Sequence, residues 1–252
     1  MIKTFDTEIL SNDEVAENIF RIIVDAPELA ETSHAGQFIQ VKISDAFTLR
    51  RPFGIASTAG GRVKIFYRVV GHGTEILSHK HAGERLDILG ALGKGFTPRD
   101  GKILLVGGGM GLAPLLCASE NFSADVLIGG RNVGEVNFWQ DEFRPNVEEI
   151  FVTTDDGSAG HYGFVTDLLP EILSAKNYSA VLTCGPEIMM RGVARIADEK
   201  NLPCEVSFEK RMACGLGACL SCSIDTVDGR KKVCKDGPVF DARKVFGGDD
   251  LA

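Results

Sequence analysis

Over the first 98 residues the apolar positions come in short runs cut by glycine. Residues 38–43 alternate in part between apolar and polar, and residues 63–70 are rich in β-branched and aromatic side chains. Gly60, Gly61, Gly71, Gly73, Gly90, Gly93 and Gly95 punctuate these runs. Short runs bounded by turn residues predict strands, and their spacing predicts a small antiparallel barrel. Near Pro98 the pattern changes. An apolar run at 102–106 meets the Gly107–Gly111 turn, and 112–122 then reads as a helix. Strand-like runs follow at 124–128, 149–153, 180–183 and 204–208, with helical periods at 136–143, 165–173 and 187–200 between them. This alternation predicts a parallel sheet with helices on its faces. From Glu209 the chain is rich in Gly and Cys and has no periodic apolar pattern, so its order is expected to come from something other than a hydrophobic core. The expected organisation is an all-β barrel at 1–98, an α/β domain at 99–208 and a tail at 209–252.

Composition narrows the class. The chain has 252 residues, 44% hydrophobic and 25% charged, which suits one or two globular domains and excludes a collagen, coiled-coil or disordered chain. A formal net charge of −8 does not suit nucleic acid or an anionic membrane surface. No apolar run approaches the roughly 18 residues of a membrane helix. Residues 1–10 carry Lys3, Asp6 and Glu8 and lack the apolar stretch of a secretory signal, so the expected compartment is the cytoplasm.

In that compartment thiols stay reduced, so the seven cysteines call for another explanation than disulfides. Four of them, Cys214, Cys219, Cys222 and Cys234, follow a C-x4-C-x2-C-x11-C spacing. The first three match the plant-type 2Fe–2S pattern, which has a distant fourth cysteine. Gly215 and Gly217 permit the tight turns by which backbone N–H groups can face anionic sulfurs. A structural zinc site is the alternative, although zinc sites usually use two C-x2-C pairs and one is present. Cys117 and Cys204 read as small buried hydrophobes.

The glycine-rich turn Gly107–Gly111 follows a strand and opens a helix, a place where free N–H groups and the helix dipole favour phosphate; a tight turn without a ligand is the other reading. Arg50 and Arg51 precede Pro52, Phe53 and Gly54, and an arginine there can grip a pyrophosphate with two parallel bonds. Alone, the pair would read as surface arginines. Tyr67 points away from Phe66 and Arg68 on a strand, either into the core or onto a flavin ring. Gly73 and Thr74, at the start of a helix expected over 74–79, make a second candidate phosphate seat. Residues 154–158 can contact a nucleotide or form an Asx turn. Cys184, Gly185 and Pro186 end a strand at the edge where open α/β sheets bind ligands. Cys184 is there either a nicotinamide neighbour or a buried thiol. Met189 and Met190 read as core, and Arg131 as a surface residue. No hydrolase constellation or paired-carboxylate site is present.

In this order the motifs resemble the ferredoxin-reductase-like flavoprotein superfamily over almost the whole chain. Within it, residues 209–219 and 233–241 resemble the electron-transfer subunits of class B dihydroorotate dehydrogenases. The resemblance implies an FAD-binding barrel, an NAD-binding α/β domain and a 2Fe–2S loop. It carries FAD contacts onto Arg51, Pro52, Phe53, Gly54, Phe66, Tyr67, Arg68, Gly73 and Thr74. It makes Cys214, Cys219, Cys222 and Cys234 the cluster ligands. Gly54 stands where the family commonly has Ser or Thr, so a side-chain contact to flavin N5 is lost there. The implied partner is an FMN-containing dihydroorotate dehydrogenase catalytic subunit, in a heterotetramer of two plus two serving pyrimidine biosynthesis. Subunits of NADH-dependent ferredoxin:NADP oxidoreductase and of sulfide dehydrogenase share this layout. A zinc-dependent interaction module would explain the cysteines without the flavin-type motifs.

Overall fold

The computed structural model describes residues 2–247. Its first six strands are β1 (Lys3–Ala16), β2 (Ile19–Asp25), β3 (Phe38–Lys42), β4 (Arg51–Gly54), β5 (Arg62–Arg68) and β6 (Arg85–Leu92). They form one sheet in the order β4-β3-β6-β1-β2-β5, with every pairing antiparallel. The two edges meet through a bridge between Ser57 and Lys64, where Lys64 N donates to Ser57 O at 3.0 Å and Ala56 N to Lys64 O at 2.9 Å. The sheet therefore closes into the expected barrel, which removes its exposed edges. Two short helices, α1 (Pro27–Thr32) and α2 (His72–Ser78), lie in its connections. Proline suits the first turn of α1, where its missing N–H would have had no partner.

The second sheet takes β7 (Ile103–Gly108), β8 (Ala124–Gly130), β9 (Ile150–Thr154), β10 (His161–Tyr162), β11 (Ala180–Cys184) and β12 (Cys204–Ser207). These are parallel, in the order β10-β9-β8-β7-β11-β12. Helices α3 (Leu112–Ser119), α4 (Val133–Phe143), α5 (Val165–Ala175) and α6 (Glu187–Glu199) cover its faces. Every residue of β7 is buried, as a central strand covered on both sides requires. Alternation along β7 divides the interior. Ile103 and Leu105 join a core shared with the barrel, whereas Leu104 and Val106 join a second core on the opposite face. Helix α4 starts earlier than its apolar period, because Asn132 caps it by accepting from Glu135 N. Helix α3 ends at Ser119, three residues before the predicted 122.

The tail departs from expectation. A hairpin of β13 (Ser223–Ile224) and β14 (Lys231–Lys232) leads to α7 (Val233–Asp236), β15 (Val239–Asp241) and α8 (Ala242–Phe246). Strand β15 pairs antiparallel with β12 and becomes the edge of the second sheet. Val233 and Phe246 are fully buried in the second core, and the Phe246 ring lies 5.7 Å from that of Phe208. The end of the tail is thus held by apolar packing and a strand ladder. Its sequence is too short and irregular to show a period.

Candidate functional site

The carboxyl ends of the parallel strands open toward the barrel. Strand β7 lies between β8 and β11, so chain connections leave it in opposite directions and a crevice forms between their ends. The turn after β7 fills the bottom of this crevice. A Cβ on Gly111 would sit 2.5 Å from the backbone of Cys184, so only glycine lets that turn approach the end of β11.

A cavity of about 770 Å³ lies between the barrel and this sheet edge. Eight of the nine residues singled out for FAD line it, namely Arg51, Pro52, Phe53, Gly54, Phe66, Tyr67, Arg68 and Thr74. Gly73 lies beneath them, and a Cβ there would come within 3.1 Å of Arg51 Nε, so its bareness lets the guanidinium cross the start of α2. The two arginines are not equivalent. Arg50 is tied to Asp87 at 2.7 Å, whereas Arg51 donates to Leu49 O at 2.7 Å and stacks over Phe47 at 4.9 Å. Thr74 Oγ1 donates to Gly71 O at 2.9 Å and accepts from Val70 N at 3.0 Å, so this hydroxyl shapes the turn. Tyr67 is 2% exposed, stacks on Phe20 and donates its hydroxyl to Asn12 at 2.9 Å. Burial raises its pKa far above the ordinary value, so the phenol stays protonated. Gly54 packs on Pro114, where a Cβ would make contact at 3.4 Å.

Sequence reasoning missed the far wall of this cavity. Glu209, Lys210, Arg211 and Met212 stand there, at the start of the tail. Their place in the same cavity as Arg51 comes from the path of β12, which no local motif records. Cys184 also lines this cavity while remaining a buried thiol, and burial raises its pKa strongly.

A second cavity of about 790 Å³ lies at the ends of β7, β8 and β9. Gly108, Gly130, Asp155, Thr166, Pro186 and Met189 are among its walls. Arg68 and Met110 line both cavities, so the two adjoin. Met190 is core, as expected, but Met189 faces this second cavity. Residues 154–158 do form an Asx turn, with Ser158 N donating to Asp156 Oδ1 at 2.9 Å, and Asp155 still reaches the cavity wall. Glu135 binds Arg131 through Nε at 2.8 Å and Arg68 at 3.3 Å. The Arg131 hydrogen bond is the foremost cause that lowers the Glu135 pKa. His72 is an exposed residue at the start of α2.

The four tail cysteines influence one another's ionisation, Cys214 through Cys219, and Cys234 through Cys222 and Cys214. Among the described residues no three or more Cys, His, Asp or Glu converge as a site for one ion. A glycine-rich C-x4-C-x2-C loop with a distant fourth cysteine fits a 2Fe–2S cluster better than a single tetrahedral zinc. Backbone donors already face the sulfurs. Gly217 N donates to Cys234 Sγ at 3.1 Å, Leu216 N to Cys214 Sγ at 3.3 Å and Cys234 N to Cys222 Sγ at 3.4 Å. Desolvation opposes ionisation of Cys214, yet the N–H groups of Leu216, Cys219 and Ala218 pull its thiol down to about 6. Burial and the neighbouring Cys222 push Cys234 up to about 12. Cys222 and Cys234 are buried, and Cys219 is exposed.

Comparison with known proteins decides the family. The family model described as the iron-sulfur cluster binding domain of dihydroorotate dehydrogenase B matches residues 209–246. The dihydroorotate dehydrogenase B (NAD(+)) electron transfer subunit of Clostridium acetobutylicum is 42% identical over 212 residues, covering 81% of this chain and 83% of that protein. The same subunit of Clostridium perfringens is 36% identical over 249 residues, covering 96% and 97%. The chain belongs to this family. Its members are oxidoreductase subunits, named for one part of a larger enzyme. Among solved structures, a chain of an NADH-dependent reduced ferredoxin-NADP oxidoreductase superposes with a TM-score of 0.83 at 28% identity, covering 95% of this chain and 89% of that one. A ferredoxin NADP+ reductase from Neisseria gonorrhoeae, at a TM-score of 0.64 and 16% identity, covering 78% of this chain and 91% of that one, shares the fold alone. Among the described residues no helix is long and apolar enough to cross a membrane.

Proposed function

We propose that this chain passes electrons between NAD and a dihydroorotate-oxidising catalytic subunit, in the service of pyrimidine biosynthesis. The observation that carries the reading is the arrangement in series of two adjoining cavities and a cysteine loop behind the first cavity's far wall. When bound, FAD, NAD and a 2Fe–2S cluster supply hydride and single-electron chemistry, and the chain supplies position and electrostatics. Barrel residues 1–98 hold FAD, with Arg51 on the pyrophosphate and Gly73 leaving room for that arginine. Phe53, Phe66, Tyr67 and Arg68 wall the ring system, and Pro52 keeps the strand extended beside it. Gly54 offers only its backbone to the ring edge. Residues 99–208 take NAD in the second cavity, and Arg68 with Met110 keeps the two ligands next to each other. Residues 209–252 hold the cluster on Cys214, Cys219, Cys222 and Cys234. The exposed Cys219, Leu216 and Leu220 put that loop where a partner can dock. The partner is an FMN-containing catalytic subunit, in a cytoplasmic heterotetramer of two plus two.

The test is anaerobic. The tagged chain is recovered from its own cell, and the eluate is assayed for NADH-dependent reduction of orotate together with FAD, FMN and iron content. Activity with both flavins present is the expected result. FAD and iron without orotate reduction, on a different partner, would overturn the choice of partner. In Cys219→Ser, FAD should stay bound while electron delivery to the catalytic subunit falls by about a hundredfold or more, a barrier increase of about 2.7 kcal/mol or more. Delivery at the normal rate would refute the proposed route.

A further inference from the structure

The chain has three glutamines, and two of them have ordinary partners. Gln37 donates from Nε2 to Gly93 O and accepts from His34 N, both at 2.8 Å. Gln140 donates to Asn137 on the surface of α4 at 3.3 Å. Gln40 differs. It is 1% exposed, and its Nε2 has no hydrogen-bond partner. Buried side-chain donors are rarely left without one, so an orphan of this kind calls for an explanation.

Its surroundings supply one. On β3, Ile39 and Val41 face the barrel core, while Phe38 faces the second core, which also contains Cys222 and Cys234. Gln40 therefore shares the Phe38 side of the strand. Its amide lies directly against the cysteine loop. A Cβ on Gly215, the residue after Cys214, would stand 2.7 Å from both Cδ and Nε2 of Gln40. Gly215 has a φ of +69°, a backbone conformation in which glycine is favoured, so the loop is shaped to bring its bare backbone onto this amide. Across the sheet Gln40 pairs with Pro52, which lines the large cavity. One side chain thus reaches the cysteine loop from the strand beside the proposed flavin site.

We propose that the Gln40 amide donates a hydrogen bond to a sulfur of the cluster held by Cys214, Cys219, Cys222 and Cys234, and so sets the ease of its reduction. The proposal rests on the cluster reading of those cysteines. Reduction adds negative charge, and a buried N–H aimed at sulfur stabilises the reduced form. Gln40 is then a positioning and tuning residue that no spacing motif would reveal.

The experiment uses the full chain carrying FAD and cluster, with glutamine labelled by 15N in its side-chain amide. Iron and acid-labile sulfide are measured first, and their absence would refute the cluster reading separately from the proposal. Pulsed EPR of the reduced cluster should show a 15N coupling in the parent protein that is absent from Gln40→Met. Potentiometric titration of Gln40→Met should show the reduction equilibrium weakened about tenfold, which is 59 mV for a one-electron couple. A parent cluster without 15N coupling would overturn the proposal, and this measurement decides even if the variant loads poorly. A loaded Gln40→Met with an unchanged spectrum and potential would overturn it as well.

Discussion

At the scale of single residues, two positions show how much depends on one group. Gly73 leaves room for the Arg51 guanidinium, whose Nε would be 3.1 Å from an added Cβ. Gly73→Ala should weaken FAD retention about tenfold, or about 1.4 kcal/mol, while leaving the melting temperature of the flavin-free chain nearly unchanged. Equilibrium dialysis against FAD checks this, and unaltered affinity would remove Arg51 from the proposed grip. Asp125 is the second position. Its side chain is fully buried, yet it meets Lys102 and the Tyr178 hydroxyl at 2.8 Å each and Glu149 N at 3.0 Å. Burial would raise its pKa, but these partners together hold it below the ordinary value. A carboxylate with a lowered native pKa stabilises the fold fully above its unfolded pKa of about 3.9, and that contribution is lost as pH falls through the native value. Asp125→Asn should therefore cost about 2 kcal/mol at neutral pH. It should also flatten the loss of stability on the acid side, below about pH 4. Denaturant melts at pH 7 and pH 3 test both statements. An equal cost at the two pH values would assign the loss to packing.

At the scale of elements, the tail behaves as two parts. The cysteine loop at 214–222 is held by sulfur and glycine, whereas β15 and α8 are held by a ladder on β12 and by Phe246. Chelating the iron under reducing conditions should open the amides of 214–222 to hydrogen exchange while 239–246 stay protected, and exchange of both together would contradict this division. Phe246→Ala should destabilise by about 3–5 kcal/mol, because the ring is 1% exposed and its loss leaves a cavity. The sequence showed the cysteine loop plainly, because ligand spacing is a local signal. It did not show β15, because three residues have no period and their order comes from pairing Val206 with Phe240. Strand β1 was equally silent. One of its inward positions is Thr7, which is tolerated there because its hydroxyl donates to Leu86 O at 3.2 Å. The cavity residues on β4 and β5 stood out as motifs; Glu209–Met212 stood out only as the start of the tail motif and not as cavity wall, since only topology brings them across from the barrel.

At the scale of the whole molecule, the proposed function needs the barrel and the α/β sheet to hold one relative placement. Ion pairs and rings join them along one seam. Glu142 of α4 binds Arg21 of β2 at 2.9 Å and Lys64 of β5 at 3.0 Å, with only 14% of its side chain exposed. Trp139 of the same helix packs against Phe66 with ring centroids 4.9 Å apart and the ring planes tilted by 55°. Glu135, one turn earlier, holds Arg68 at the border of the two cavities. Helix α4 thus ties β5, whose residues wall the first cavity, to the sheet whose ends form the second. Hydride transfer depends steeply on alignment, and displacements near 1 Å can cost about a hundredfold. Glu142→Gln keeps the shape and removes the charge, while the aromatic contacts remain. It should slow the NADH-driven bleaching of the flavin about tenfold in anaerobic stopped flow, with flavin content and secondary structure unchanged. The loss should appear in the limiting rate more than in the NADH concentration for half-maximal rate, because the residue lies outside both cavities. A change confined to that concentration would mean that the ion pairs shape the NAD cavity itself. An unchanged rate would mean that the Phe66–Trp139 contact alone fixes the placement.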